Sequence, residues 1–269
     1  MILRIRFGKQ GCAQFLSHLD IMRYFQKLLR RADVDVKYSG GFSPHQIMSF
    51  GNPLGLAQIS TAEYVDVELN SLNYLPDPML KQDNGRILSS ETFCERLNRF
   101  SPPDGSLPII SCRILPEKAD NVMAAVAAAS YVIRDRENIS KELSEKRISL
   151  FDHLEEARKV LDATELIVLK KTKKSETETD IRPMILSAEW NAENRSLTLL
   201  TKAGSVSNLK PELVISGIHE KLGIEYYPMQ YLIAREDLFT GETKEEDGSF
   251  SGKLISLGEI GTLPEDYQE

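Results

Sequence analysis

The chain has 269 residues, 41% of them hydrophobic and 27% charged, which is enough for one large globular domain or two of average size. Its net charge of −7 argues against a protein that coats nucleic acid without discrimination. The charge is uneven, however, because residues 1–50 hold eight Lys or Arg against three Asp or Glu. That imbalance fits either scattered surface charge or a functional basic face.

Three widely separated cysteines, Cys12, Cys94 and Cys112, lack CxxC spacing, so we expect neither a disulfide framework nor an iron–sulfur or zinc-ribbon site. The N-terminal segment is too short and too charged for a signal peptide, and no apolar run reaches about 18 residues. We therefore predict a cytoplasmic protein without membrane association.

The first half alternates strand and helix patterns. Apolar and basic residues alternate over residues 3–7, which predicts a strand with Arg4 and Arg6 on one face. A helix follows, with Ser17 and Asp20 in capping-box positions and its basic residues largely off the apolar face. We further predict strands at 34–38, 63–69 and 108–115, an extended segment at 46–50, a loop at 70–90, and a helix at 90–100 capped by Ser90.

The same order restarts after an Ala-rich segment. We predict a linking helix over 118–129, strands at 131–135, 165–171, 181–190, 196–201 and 230–235, and helices at 143–163 and 211–222. The β-α-β-β-α-β order predicts an α+β fold of two tandem ferredoxin-like domains, 1–117 and 130–240, each with an antiparallel sheet. Their helices would cover one sheet face and leave the other free. The acidic composition of residues 241–269 indicates a loosely ordered tail.

Four residues are candidates for catalysis: His18, His45, Glu63 and Asp66. His18 lies in the first helical turn, where the helix dipole favours a neutral imidazole that could act as a general base. The alternative is a polar residue that merely sits near a helix cap. Together with Asp20 these side chains could form a mixed nitrogen–oxygen metal site, but their spacing does not require one. We therefore predict no metal and no cofactor.

The segment YSGGFSPH, residues 38–45, combines two glycines with a proline. Glycine lets the backbone approach a ligand closely, so the loop could cradle a phosphate beside the basic helix. No P-loop lysine or GxGxxG pattern accompanies it, and a plain connector between strands explains it equally well. The candidate ligand-binding positions of this loop and the next are Ser39, Gly41, Pro44, Ser49 and Gly55.

Basic and aromatic residues of the first half indicate contact with a polyanion. A four-stranded sheet with stacking aromatics and flanking basic groups is how many small RNA-binding domains work. The alternative is that the aromatic side chains are buried and the basic ones merely solvated. The predicted nucleic-acid contacts are Arg4, Arg6, Arg23, Lys27, Arg30, Arg31, Tyr38 and Phe42.

Several segments carry a resemblance to a known family. They are FLSHLD (15–20), LLRRA (28–32), YSGGFSPH (38–45), SFGNPLGL (49–56) and EYVDVEL (63–69), with weaker matches in DIRPMI (180–185) and AREDLF (234–239). In them the chain resembles the bacterial radical-SAM-linked family of unknown function, whose members occur alone or fused behind a cobalamin-binding radical SAM protein. The resemblance implies a radical SAM partner and a link to RNA modification, and it supplies no established activity.

The chain has no CxxxCxxC motif, so a radical SAM cluster would belong to a separate protein. Our first hypothesis is an accessory module that binds tRNA or rRNA, is not itself an enzyme, and works with a cobalamin-type radical SAM protein. One alternative is an endoribonuclease, or another phosphate-ester or nucleotide enzyme, that uses His18 or His45. A second alternative is a protein–protein adaptor for the radical SAM partner.

Overall fold

The computed structural model of the chain describes residues 1–74, 89–171, 176–246 and 250–268. The first half contains β1 (Ile2–Lys9), α1 (His18–Arg31), β2 (Val34–Val36), β3 (Met48–Phe50), β4 (Ile59–Tyr74), α2 (Ser90–Arg99) and β5 (Ile109–Ile114). The second half contains α3 (Val122–Ala125), β6 (Ala128–Asp135), α4 (Lys141–Lys146), α5 (Leu154–Asp162), β7 (Ile167–Lys171), β8 (Glu176–Asp180), β9 (Ile185–Asn191), β10 (Ser196–Lys202), α6 (Pro211–Leu222), β11 (Tyr231–Lys244) and β12 (Phe250–Ser256).

A single large sheet runs through both halves. Its strand order is β5-β1-β4-β11-β6-β10-β9, with β2 and β3 paired to β4 and β12 paired to β11. Neighbouring strands are mostly antiparallel, but β4 and β11 pair in parallel where Ile59 and Ser60 meet Ala234 and Arg235. The protein is therefore a mixed α+β fold with a mostly antiparallel sheet, and the two halves meet along the start of β4.

Helix α1 begins where the sequence predicts. The Ser17 backbone N–H donates to the Asp20 carboxylate at 3.1 Å, and the Asp20 N–H donates back to Ser17 Oγ at 3.3 Å. This capping box satisfies N–H groups that the first helical turn leaves without carbonyl partners. The apolar side of the helix then packs on β1, with the Phe7 and Phe25 ring centroids 4.7 Å apart. The start of α1 is thereby fixed over the end of β1.

Several predicted elements differ from the structure. Ser89, not Ser90, caps α2 and accepts from Thr92 N–H, while the buried Ser90 hydroxyl accepts from Cys112 N–H. The predicted helix at 118–129 is a single turn, because β6 begins at the fully buried Ala128 and sheet packing overrides helix propensity. The predicted helix at 143–163 is broken into α4, a 3₁₀ turn and α5. The predicted loop at 70–90 falls mostly outside the described residues, and residues 70–74 belong to β4.

The prediction of a loosely ordered acidic tail is wrong for the described part of residues 241–269. Strand β12 pairs with β11, and the buried Leu257 follows it. Thr262 then exchanges two backbone hydrogen bonds with Ile114 of β5, at 2.8 and 2.9 Å. Acidic composition suggested disorder, but the apolar residues of this segment supply enough buried surface to hold it against the sheet.

The prediction that one sheet face is free is wrong for the first half of the chain. Residues 256–262 lie across the face of β1, β4 and β5 that points away from α1. Arg113 donates to the carbonyls of Gly258 and Gly261 there, at 2.8 and 3.0 Å. Tyr64, on the same face, is buried and donates its hydroxyl proton to Asp237 at 2.5 Å. The covered face therefore cannot serve as a flat stacking platform for RNA.

Candidate functional site

Asp66 and Arg4 form a buried ion pair. Arg4 Nε and Nη2 donate to the two carboxylate oxygens of Asp66 at 2.8 and 2.9 Å, and the side chains are only 2% and 3% exposed. Asp66 also accepts the backbone N–H of Val122 at 2.6 Å, which fixes the start of α3. Neither residue is available to a nucleic acid or a substrate, so we remove Asp66 from the catalytic candidates and Arg4 from the RNA contacts.

Glu63 forms a second buried ion pair, with Arg235 of the second half. Arg235 Nε donates to Glu63 Oε1 at 2.9 Å, Nη2 donates to the same oxygen, and Nη1 donates to the carbonyl of Asn52 at 2.6 Å. Arg235 is 1% exposed. Glu63 and Asp66 point to opposite faces of β4, because residues three apart in a strand do so. They cannot converge on one ligand.

A cleft opens beside Glu63, between the ends of β1 and β3 and the start of α1. His18 lies at its mouth, exposed, with its ring centroid 5.2 Å from that of Phe50 in an edge-on contact. We call this the first cleft. Its lining residues are Phe7, Lys9, His18, Ile21, Phe50, Gly51, Pro53, Leu54, Glu63 and Tyr64.

Lys9 is the functional candidate that the sequence analysis missed. Its side chain is 3% exposed and donates to the carbonyl of Gly55 at 3.3 Å. Burial lowers the pKa of the Lys9 amine, and the positive charge of Arg235 acts in the same direction while Glu63 opposes it. The sequence already indicated that Lys9 is buried. Period-two alternation places it on the same face of β1 as the core residues Leu3, Ile5 and Phe7.

Residues 51–58, which we call the junction loop, are held by basic side chains from both halves. Their carbonyls accept from Lys9, from Arg235 and from Arg136, whose Nη2 lies 2.5 Å from the carbonyl of Ala57. Gly51 fits closely, since a Cβ there would lie 2.9 Å from Val122 Cγ2. A Cβ on the predicted ligand position Gly55 would lie 3.1 Å from Gln58 Nε2. The glycines of SFGNPLGL therefore meet local packing demands.

The second predicted loop, residues 38–46, is a closed turn with an exposed tip. Its ends form an antiparallel bridge between Tyr38 and Gln46, and Ser39 N–H donates to the His45 carbonyl at 2.8 Å. The Ser39 hydroxyl lies 2.9 Å from Nδ1 of His45 and orients that ring. Phe42 is fully exposed at the tip, next to Gly41 at φ +97°. Tyr38 is also exposed, whereas the predicted Ser49 lies within β3.

The 38–46 loop lies against α1, since Gln46 Nε2 donates to the carbonyl of Gln26 at 3.4 Å. Four basic side chains of that helix are solvent-exposed: Arg23, Lys27, Arg30 and Arg31. Arg6 is half-buried on the opposite sheet face and donates to the carbonyl of Thr61 at 3.1 Å. The exposed basic residues of α1, together with the 38–46 loop, form what we call the basic face.

The predicted catalytic residues thus occupy separate places: His18 at the first cleft, His45 in the 38–46 loop, and Glu63 and Asp66 in buried ion pairs. Within the ranges that the structure describes, no three His, Cys, Asp or Glu side chains come together as metal ligands. The same ranges contain no helix long and apolar enough to cross a membrane.

These features define a mixed α+β protein with a basic face and a cleft between strand ends. A family model described as "Uncharacterized protein conserved in bacteria (DUF2344)" matches residues 3–211, and the chain belongs to that family. No curated protein matches the chain. The predicted membership of a bacterial family of unknown function is confirmed, and the link to radical SAM enzymes stays a prediction.

Proposed function

We propose that the protein is an accessory RNA-binding module, for tRNA or rRNA, that works with a cobalamin-type radical SAM protein. The observation that carries the proposal is the fully exposed Phe42, on a loop anchored to a helix that displays four basic side chains. Exposed aromatic rings stack on unpaired bases, and nearby Lys and Arg neutralise phosphates.

The strand order supports a ferredoxin-like architecture for each half. In the first half β1 lies between β5 and β4, with β2 and β3 beyond β4, and in the second half the order is β11-β6-β10-β9. The strand orders of both halves correspond to the spatial order 4-1-3-2, in which the four strands of a β-α-β-β-α-β unit lie side by side. We infer two such units joined through β4 and β11. Because the sheet face of the first unit is covered, the basic face takes the place of the sheet as the RNA-binding surface.

Fluorescence anisotropy with labelled tRNA tests the proposal. The triple variant Arg23→Ala, Arg30→Ala, Arg31→Ala should lose most of the affinity and reduce the slope of log K against log salt by about 0.7 to 0.9 per lost phosphate contact. Phe42→Ala should weaken binding without changing that slope. The matched control removes three exposed cations elsewhere, Lys141→Ala, Lys146→Ala and Lys159→Ala. No binding at low salt, or equal effects of both triple variants, would contradict the proposal.

The partner is tested separately. The proposal places the protein in the cytoplasm beside a radical SAM enzyme that carries its own cluster, since this chain has no CxxxCxxC motif. Co-purification of that enzyme should disappear on ribonuclease treatment if RNA joins the two proteins. Retention after ribonuclease would favour the adaptor hypothesis, and no co-purification at all would rule out the partner.

A second candidate function, a phosphate-ester enzyme, is favoured by one observation. His18 and the buried Lys9 line the same cleft at the positive end of α1. His18 would act as general base, and Lys9 would stabilise charge on the phosphoryl oxygens. The test is incubation of total tRNA with wild type, His18→Ala, and His45→Ala as the control for a histidine outside the cleft. Unchanged RNA, or equal cleavage by all three proteins, would reject this function.

A further inference from the structure

The four cations of the basic face have no neutralising partners on the protein. Among the described residues, neither a hydrogen bond nor an ion pair joins the exposed side chains of Arg23, Lys27, Arg30 and Arg31 to another group. Exposed Lys and Arg side chains without carboxylate partners are available to an anionic ligand. The basic face therefore keeps its positive charge.

The acidic residues nearest in sequence are engaged elsewhere. Residues 17–50 contain three of them. Asp20 belongs to the capping box of α1, Asp33 lies 3.6 Å from Arg96, and Asp35 accepts from Asn70 at 2.9 Å. Asp20 is the only acidic residue within α1, where its hydrogen bonds with the cap residue, and to a smaller extent the charge of Arg23, lower its pKa. The rest of the helix presents positive charge alone.

The cations follow one line along the helix. Arg23, Lys27 and Arg31 are four residues apart, so they occupy one ridge of α1 and rise by about 6 Å from each to the next. Arg30 lies beside that ridge. This step is comparable with the distance between neighbouring phosphates of one nucleic-acid strand. The ridge can therefore contact successive phosphates of a single strand.

The 38–46 loop places an aromatic ring beside this ridge. Gln46 ties the loop to the carbonyl of Gln26, which directly precedes Lys27. The bridge and the hydrogen bond that close the loop hold its tip from both sides. Among the described residues, nothing lies within 4 Å of the position that a Cβ would take on Gly41. A planar base therefore has room next to the ring of Phe42.

We propose that the basic face binds an unpaired RNA segment, in a hairpin loop or a bulge, and discriminates against a continuous duplex. The phosphates of the segment contact the ridge of α1, and one of its bases stacks on Phe42. In a duplex the flat surfaces of the bases are covered by neighbouring base pairs, and the deep, narrow major groove excludes side chains. The inference rests on the proposed function for RNA as the ligand and adds the kind of RNA.

Fluorescence anisotropy with two labelled RNAs of equal phosphate number tests this preference. One is a hairpin with an unpaired loop, and the other is a blunt duplex. The wild type should bind the hairpin about tenfold more tightly than the duplex, because only the hairpin offers a base for stacking. Phe42→Ala should bind both RNAs equally, with the duplex affinity of the wild type. Phe15→Ala removes another exposed ring, outside the 38–46 loop, and should keep the full preference.

A hairpin with 2-aminopurine in its loop reports stacking directly. Its fluorescence should change when the wild type binds, and it should change much less with Phe42→Ala at saturating protein. Phe42→Tyr keeps an aromatic ring and should restore both the fluorescence change and the preference for the hairpin. Because Phe42 is fully exposed, these substitutions leave the core intact.

Equal affinity of the wild type for the hairpin and the duplex would overturn the inference and leave RNA binding intact. A hairpin preference that persists in Phe42→Ala would overturn it as well, since another group would then recognise the loop. Absence of binding to either RNA at low salt would instead overturn the proposed function, and this inference with it.

Discussion

Glu63→Ala should destabilise the protein strongly, because it leaves Arg235 buried without its carboxylate. Arg235 is 1% exposed, and it donates to Glu63 from both Nε and Nη2. After the substitution the carbonyl of Asn52 remains as its hydrogen-bond acceptor. Two charge-assisted hydrogen bonds are worth about 1.5 to 3 kcal/mol each, and removal of one partner from a buried ion pair costs about 3 to 5 kcal/mol. Both estimates, from the two hydrogen bonds and from the broken ion pair, give a loss of about 4 kcal/mol in the free energy of unfolding.

Urea unfolding followed by circular dichroism measures this loss, and a thermal melt should show a fall in Tm of roughly 10 °C. Glu68→Ala is the control on the same strand. Glu68 pairs with Lys37 at 2.9 Å, but these side chains are 33% and 53% exposed, so its removal should cost less than about 1 kcal/mol.

The double variant Glu63→Leu, Arg235→Met completes the test. It should recover a large part of the lost stability, because most of the penalty comes from an uncompensated buried charge. A Glu63→Ala protein within about 1 kcal/mol of wild type would refute the interpretation of Glu63 as a structural residue, and it would return Glu63 to the catalytic candidates.

Three further predictions concern titration and backbone strain. Burial lowers the pKa of Lys9 below its usual 10.5, so between that lowered pKa and 10.5 the unfolded chain binds a proton that the folded chain lacks. The stability of the wild type relative to Lys9→Met, measured by urea titration, should therefore rise as the pH rises toward 10.5. Burial lowers the pKa of His219 below its usual 6.5, so the Tm should fall as the pH drops below that value, and His219→Phe should show a smaller fall. At Gly204, where φ is +112°, a Cβ would lie 2.1 Å from the Val126 carbonyl oxygen. Gly204→Ala should therefore lower the free energy of unfolding by about 2 kcal/mol or more. Gly40 has open space around it, so the control Gly40→Ala should change the free energy of unfolding by less than about 1 kcal/mol.

Local sequence signals predicted the elements around the site well. The pair Ser17 and Asp20 marked the start of α1, and the Pro211 helix was predicted with the bounds that the structure shows. These signals act within a few residues, where capping and hydrophobic periodicity decide the outcome. The predicted strand at 63–69 also implied that Glu63 and Asp66 face opposite ways, so the possible metal site that joined them with His18, Asp20 and His45 was inconsistent with that strand.

The roles of the acidic residues could not be predicted, because their partners are distant in sequence. Arg235 is 172 positions from Glu63, and Val122 is 56 positions from Asp66. Only the packing of the second half against β4 brings these groups together. The covered sheet face has the same origin, since residues 256–262 reach it from the far end of the chain. The composition of residues 241–269 correctly indicated an acidic segment, but it gave no information on which strands and side chains that segment contacts.

The junction loop connects the first cleft, whose lining residues all belong to the first half, with a second cleft that is lined by residues of both halves. Lys9 of the first half and Arg136 and Arg235 of the second half hold carbonyls of the same loop. Residues Pro53 and Leu54 of that loop line both clefts, so displacement of the loop at one cleft must reshape the other. Glu63, through Arg235, is the link between the strand that lines the first cleft and the residues that line the second. The role of Glu63 in the fold is therefore to fix the relative position of the two clefts through its buried ion pair with Arg235.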